Sequence, residues 1–427
     1  MVTFANARVF DGREMLAEPH CVTVEGGLIA SVRPGSAAAG DAIDLAGMTL
    51  MPGLVSAHMH PDNLKFTYQA FLAGDRLGLE RPPGVLTAIG VRTCKMLIET
   101  GFTGYVGAGC SNNIDAQLKM AIEEEIIPGP RIRPCSHHVG TTADANDSIQ
   151  WWLQPQRPGT DIFADGPDSL RGAVREEIRN GAQIIKIYVS SGHAVPGRRG
   201  KRNMSSDEIA AVVAAAHDRG VKVRAHVCHK ELILESLALG VDLVDHGDET
   251  DEACIDAMAE AGAFWVPSLA FLKIALDGGM DPDGSARYAH DNLLRTIPLA
   301  QKRGVRLLLG DDYGGGAMAH AAGSYARELP LYGAIEGLSA TEVLGWATRN
   351  GGELLMDGPG RAGVVAPGAV ADLIVVDGDP TQDLTLLQRP EASLKAVLRA
   401  GAFQIDRLDH AMKAQPAQRP ILEVAGR

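Results

Sequence analysis

His58-Met59-His60 closes an apolar run that opens at Met51-Pro52-Gly53-Leu54. On a strand, residues two apart share a face, so both imidazoles would point the same way and could take one metal ion. His226 ends a second run, Val223-Arg224-Ala225-His226, and His246 ends a third, Val244-Asp245-His246-Gly247. Neighbouring strands lie about 5 Å apart, so these two histidines could grip a second ion together. Lys186 sits inside Ile184-Ile185-Lys186-Ile187-Tyr188-Val189. An ammonium there is costly unless it is paired or neutral. It is either an ion-paired lysine or a low-pKa amine that reacts with CO2, giving a carbamate whose two oxygens could bridge two cations. Asp311 and Asp312 follow Leu307–Gly310, and one of these carboxylates would serve as ligand or base. Periodicity does not say which, and Asp also favours helix caps.

These residues fall at the ends of regularly recurring elements. Strand-like apolar runs occur at Leu54–His60, Thr103–Gly109, Arg131–His137, Ala182–Ser190, Val221–Val227, Asp242–Gly247, Phe264–Leu269 and Arg306–Asp312. Each precedes a helical stretch, clearest at Ser205–Gly220, Lys230–Gly240, Glu252–Ala261 and Thr341–Leu355. Ser205 and Glu208 have the spacing of a capping box, and Gly220 and Gly240 stand where helices should stop. Eight strand–helix repeats predict an α/β fold, a (β/α)8 TIM barrel whose active site lies at the C-terminal strand ends. An open doubly wound sheet would want a GxGxxG loop after an early strand, and none occurs there. Residues 1–52 instead alternate in short strands with turns, and 358–427 repeat that texture. The expectation is a small composite β-sandwich from both chain ends, with the barrel, residues 53–357, inserted between them.

The chain resembles the amidohydrolase superfamily, in its imidazolonepropionase-like and Xaa-Pro or Xaa-Arg dipeptidase-like branch. The resemblance rests on Pro52-Gly53-Leu54-Val55-Ser56-Ala57-His58-Met59-His60, on the His226 and His246-Gly247 strand ends, and on the returning segment Pro367-Gly368-Ala369-Val370-Ala371-Asp372-Leu373-Ile374-Val375-Val376-Asp377-Gly378-Asp379-Pro380. It implies that His58 and His60 hold one divalent metal, that His226 and His246 hold a second, and that carboxylated Lys186 bridges this binuclear centre. The family usually carries Gly-Thr-Asp where Gly310-Asp311-Asp312 stands, which implies Asp312 as metal ligand and catalytic base. It also implies a substrate-facing histidine in His137-His138: His138 would polarise the carbonyl, with His137 beside the substrate. Tyr188 is placed with the substrate contacts as well. His193 replaces part of a glycine-rich loop and either touches substrate or decorates that loop. His229, three residues past His226, is not expected to be a ligand.

The implied activity is metal-dependent hydrolysis of an amide-type C–N bond, in a dipeptide or N-acyl amino acid, by a metal-bridging hydroxide. Zinc is the expected metal, with Mn2+, Co2+ or Fe2+ as substitutes. A xenobiotic amide, urea or carbamate is the alternative substrate, and a non-catalytic small-molecule-binding barrel is the competing class. Arg198, with Arg199 and Arg202, forms the one basic cluster, either a solvated loop or a site for a substrate carboxylate. A net charge of −13 from 53 acidic and 40 basic residues disfavours nucleic acid as a partner. Aromatics are 5% and glycines number 49, which suits tight strand-to-helix turns. Six cysteines without paired spacing read as reduced thiols. With no signal peptide or membrane span evident in the sequence, the expectation is a cytoplasmic homo-oligomer acting on a small molecule.

Overall fold

Strict alternation lets a strand bury one face, whereas an unbroken apolar run suits a strand buried on both. Both kinds occur in the computed structural model, which describes residues 1–36, 42–62, 79, 81–144, 147, 152, 158–193, 201–279, 281–314 and 326–408. The chain begins with β1 (Val2–Val9), β2 (His20–Glu25), β3 (Leu28–Pro34), β4 (Ile43–Asp44) and β5 (Thr49–Pro52). The central strands are β6 (Leu54–His60), β7 (Phe102–Gly107), β8 (Arg131–Arg133), β9 (His138–Gly140), β10 (Asp161–Phe163), β11 (Ile184–Tyr188), β12 (Lys222–Val227), β13 (Leu243–His246), β14 (Phe264–Val266), β15 (Arg306–Leu307) and β16 (Tyr313–Gly314). The last are β17 (Leu373–Val376), β18 (Leu394–Arg399) and β19 (Ala402–Asp406).

Both chain ends share one sheet, ordered β19-β18-β17-β5-β1-β2-β3 with β4 against β1. Strand β5 is the seam. It runs parallel to β1 (Val9 opposite Leu50) and antiparallel to β17 (Leu50 opposite Val375). Phe4, Val22, Leu50, Leu373 and Leu398 pack together behind it.

The central strands are parallel and form two sheets, β10-β9-β11-β12-β13-β14-β15 and β16-β6-β7-β8. Every residue of β6 is buried, as its apolar run requires. Backbone hydrogen bonds cross from one sheet to the other: Ala57 N–H donates to Leu309 O (2.7 Å) and Gln183 N–H to Pro134 O (2.7 Å). Helices cover the strands, including Ser206–His217, Lys230–Ala238 and Glu252–Ala261. The first is capped as expected, with the Ser205 N–H donating to Glu208 Oε2 at 2.8 Å. Gly220 and Gly240 take left-handed backbone beyond the helix ends. No described helix is long and apolar enough to cross a membrane.

Several strands stop earlier than the apolar runs suggest. The run Arg131–His137 is a strand only to Arg133, and Ser136 turns left-handed before β9 starts at His138. The run Arg306–Asp312 leaves the ladder after Leu307, and Asp312 is left-handed at φ 57°. Apolar content keeps these segments buried, but left-handed residues cannot continue a strand. The helix expected at Thr341–Leu355 starts at Ala340 and contains a π turn, Trp346–Asn350. There the Asn350 side-chain amide donates to Leu307 O (2.8 Å) and ties this helix to β15.

Candidate metal centre

Strand β6 delivers His58 and His60 to the same place. Asp312 Oδ1 lies 2.8 Å from His58 Nε2 and 3.2 Å from His60 Nε2. His60 Nδ1 faces Gly109 O at 2.8 Å, which fixes the ring and directs Nε2 inward. Gly310, two residues before Asp312, must be glycine. A Cβ there would come within 2.7 Å of the His58 Cβ and 2.8 Å of its backbone nitrogen.

Behind His58 lies a buried charged cluster. Asp245 Oδ1 is 3.3 Å from His58 Nδ1, and Lys186 donates to Asp245 Oδ2. Arg224 grips the same carboxylate twice, Nη2 to Oδ1 at 2.6 Å and Nε to Oδ2 at 3.0 Å. Its Nη1 donates to Ala57 O and Gly107 O, both at 2.8 Å. One guanidinium from β12 thus touches β6, β7 and β13. Strict alternation would turn Asp245 and His246 to opposite faces. His246 has left-handed backbone, φ 71°, and both neighbours reach His58, its ring centroid 5.2 Å from that of His246.

The electrostatics suit ligand chemistry. Burial pushes His58, His226 and His246 below the usual histidine range, so they are neutral donors at pH 7. Burial also pushes the Lys186 amine down, with Asp245 opposing it. At Asp312 burial pushes the carboxyl up, but His58, His60 and His246 outweigh it and hold it well below the carboxylate range. Among the described residues, two groups of three donors could each hold an ion, with all ligand atoms of a group within 4.8 Å of one another: His58, His60 and Asp312, and His193, His246 and Asp312.

The sequence profile of the Amidohydrolase family matches residues 49–402. The chain belongs to the amidohydrolase family. It is a hydrolytic enzyme acting on C–N bonds. Ochratoxinase from Aspergillus niger is 27% identical over 368 residues, covering 80% of this amidohydrolase and 73% of that protein. Imidazolonepropionase from Salinispora arenicola is 26% identical over 423 residues, covering 93% and 96%. The crystal structure of a prolidase complexed with N-methylphosphonate-L-proline superposes with a TM-score of 0.82 at 28% identity, covering 95% of this amidohydrolase and 99% of that chain.

The remaining expected site residues of the amidohydrolase are distributed unevenly. The His226 ring stands 4.5 Å from that of His246 and stacks on Tyr188 at 4.5 Å. Tyr188 also meets the edge of His138 (5.1 Å). His138 Nδ1 faces Asp161 Oδ1 at 2.9 Å and its Nε2 faces Ala108 O at 2.7 Å. Gly109, φ 131°, leaves room for that ring, since a Cβ there would fall 1.8 Å from His138 Nε2. His137 turns elsewhere: its ring meets Glu177 Oε2 (3.1 Å), and its Nε2 accepts from the Asn112 N–H (3.2 Å). His229 pairs with Glu249 (2.9 Å). Arg198 and Arg199 lie outside the described residues, and Arg202 pairs with Glu235 at the surface. The sequence reading missed the partners: Arg224, Asp245, Asp161 and Asp248, whose Oδ1 faces His193 Nδ1 at 2.9 Å.

Glu328 was missed too. It is fully buried and accepts from the backbone N–H of Gly310 (3.0 Å) and Ala270 (3.1 Å) and from the Tyr332 hydroxyl (3.1 Å). It therefore holds the segment carrying Asp312. Burial pushes its carboxyl up from 4.5 to about 7. The folded protein then keeps a proton that the unfolded chain has released, and stability falls as pH rises through this window. The drop should be of order 3 kcal/mol, complete above pH about 7 and absent below the ordinary value. Urea unfolding of Glu328→Gln should show a flatter pH dependence between pH 5 and 7 than wild type. Parallel curves would remove Glu328 from this role.

Proposed function

We infer that this amidohydrolase cleaves an amide-type C–N bond of a dipeptide or N-acyl amino acid, with two divalent ions, zinc first among them. The carrying observation is the pair of donor groups that share Asp312. The residues fit metal: burial holds His58, His226 and His246 neutral, His60 is oriented by a carbonyl, and His193 Nε2 and His246 Nδ1 are buried with no hydrogen-bond partner among the described residues. His58, His60 and Asp312 would hold one ion, and His226 and His246 the other. Lys186, whose amine burial pushes toward the neutral form, would bridge them as a carbamate. The ions would supply carbonyl polarisation and a hydroxide nucleophile at neutral pH. Asp312 would take the proton of the attacking water and deliver it to the leaving amine. His138 would meet the substrate carbonyl by exchanging Ala108 O for it, with Asp161 holding the ring.

The same reading takes the two central sheets, joined at Ala57–Leu309 and Gln183–Pro134, as one closed (β/α)8 barrel spanning 53–357. The sheet of both chain ends, 1–52 and 358–427, would be the β-sandwich domain; residues 409–427 lie outside the described residues. A second substrate reading, a bulkier xenobiotic amide, draws on the similarity to ochratoxinase and on the aromatic rings of Phe271 and Tyr188 packed against His193 and His226.

Chelator-stripped protein should lose its activity and regain it with Zn2+, and the purified enzyme should carry about two ions per chain. Dipeptides and N-acyl amino acids should turn over faster than aryl ureas. Full turnover in metal-free protein would end this reading, and no bound metal at all would favour a non-catalytic barrel.

A further inference from the structure

His193 follows β11 in a position with unusual constraints. Gly192 before it is left-handed, φ 136°, and a Cβ there would lie 2.5 Å from the Cys228 Cβ. Only glycine lets the chain pass this close, and the passage aims His193 inward. Asp248 then holds the residue at two points: the His193 N–H donates to Oδ2 (2.7 Å) and Nδ1 faces Oδ1 (2.9 Å). The ring is sandwiched between His246, 3.8 Å away and tilted 22°, and Phe271, 5.1 Å away and tilted 24°. It has little freedom to swing toward a substrate.

With Nδ1–H donated to a carboxylate, the lone pair resides on Nε2. That atom is buried and has no hydrogen-bond partner among the described residues, as is true of His246 Nδ1 beside it. Two stacked imidazoles with unpartnered nitrogens leave buried polar atoms unsatisfied. A cation at their edge satisfies both, and Asp312 supplies the balancing charge within the same 4.8 Å group.

We propose that His193 is a metal ligand, which with His246 and Asp312 holds a divalent cation while Asp248 orients its ring. The proposal rests on the metal-hydrolase reading above and adds to it a ligand from the loop after β11. His226, 4.5 Å from His246 and stacked on Tyr188, keeps its place beside this ion, and His193 joins it. The carboxylate–histidine pair makes the affinity of this one ion depend on a residue that never touches it.

The test is a zinc count and titration of apoprotein against a competing chelator, for wild type, His193→Ala, His193→Gln and Asp248→Asn. Wild type should take two ions. Both His193 variants should weaken one ion at least tenfold and leave the other unchanged. Asp248→Asn should weaken the same ion about 10–100-fold. His193→Gln keeps most of the side-chain volume and stands in if the alanine variant does not fold. A folded His193→Gln protein holding both ions with wild-type affinity, even with a raised KM, would overturn the proposal and leave the hydrolase reading intact. Wild type that binds no zinc would instead overturn the reading beneath it.

Discussion

Asp312→Asn is expected to lower kcat roughly 10²–10⁴-fold, the range for removing a positioned acid–base group. Asparagine keeps the shape and one oxygen, so His58 and His60 retain a partner where Oδ1 now stands 2.8 and 3.2 Å away. It cannot accept a proton. The loss should therefore fall on kcat more than on KM, with most of the bound metal retained. His58→Ala should behave differently: it removes a donor outright, and metal and activity should disappear together. Metal analysis beside steady-state kinetics separates the two. An Asp312→Asn enzyme within tenfold of wild type, with full metal, would move the proton-transfer role to another group, Asp311 first.

Arg224→Leu should cost about 3–5 kcal/mol of folding stability, the range for removing one partner of a buried ion pair. Leucine fills much of the space but leaves Asp245 without its two-pronged partner and strips a donor from Ala57 O and Gly107 O. Those carbonyls belong to β6 and β7, and Arg224 and Asp245 to β12 and β13, so the loss falls on a buried tie that reaches from one central sheet to the other. Urea denaturation of wild type and variant in metal-free buffer measures it. Arg224→Lys should recover only part, because an ammonium cannot match the planar fork. A loss below 1 kcal/mol in Arg224→Leu would mean that the cluster is solvated and not the tie described here.

The two periodicities explain how much was legible. Parity along β6 puts His58 and His60 on one face, and parity along β12 puts Arg224 beside His226, although only the histidine was singled out. The apolar run around Lys186 marked a buried amine, and the family resemblance supplied its expected role. Asp245 was not legible, because alternation points it away from the face of its neighbour His246, and only the left-handed turn at φ 71° undoes that. Asp248 and Asp161 orient imidazoles 55 and 23 residues away in sequence, pairings that no local pattern encodes. The outer sheet was legible in texture, since each end of the chain alternates and neither is long enough to stand alone.

His193, His246 and Asp312 all sit with left-handed backbone, at φ 53°, 71° and 57°. Each such residue costs of order 1–3 kcal/mol unless its surroundings enforce it. The catalytic mouth is thus held under tension, and glycine at any of the three positions would let it relax. A library screened for heat tolerance alone should erode these positions early, yielding sturdier molecules that have gone idle.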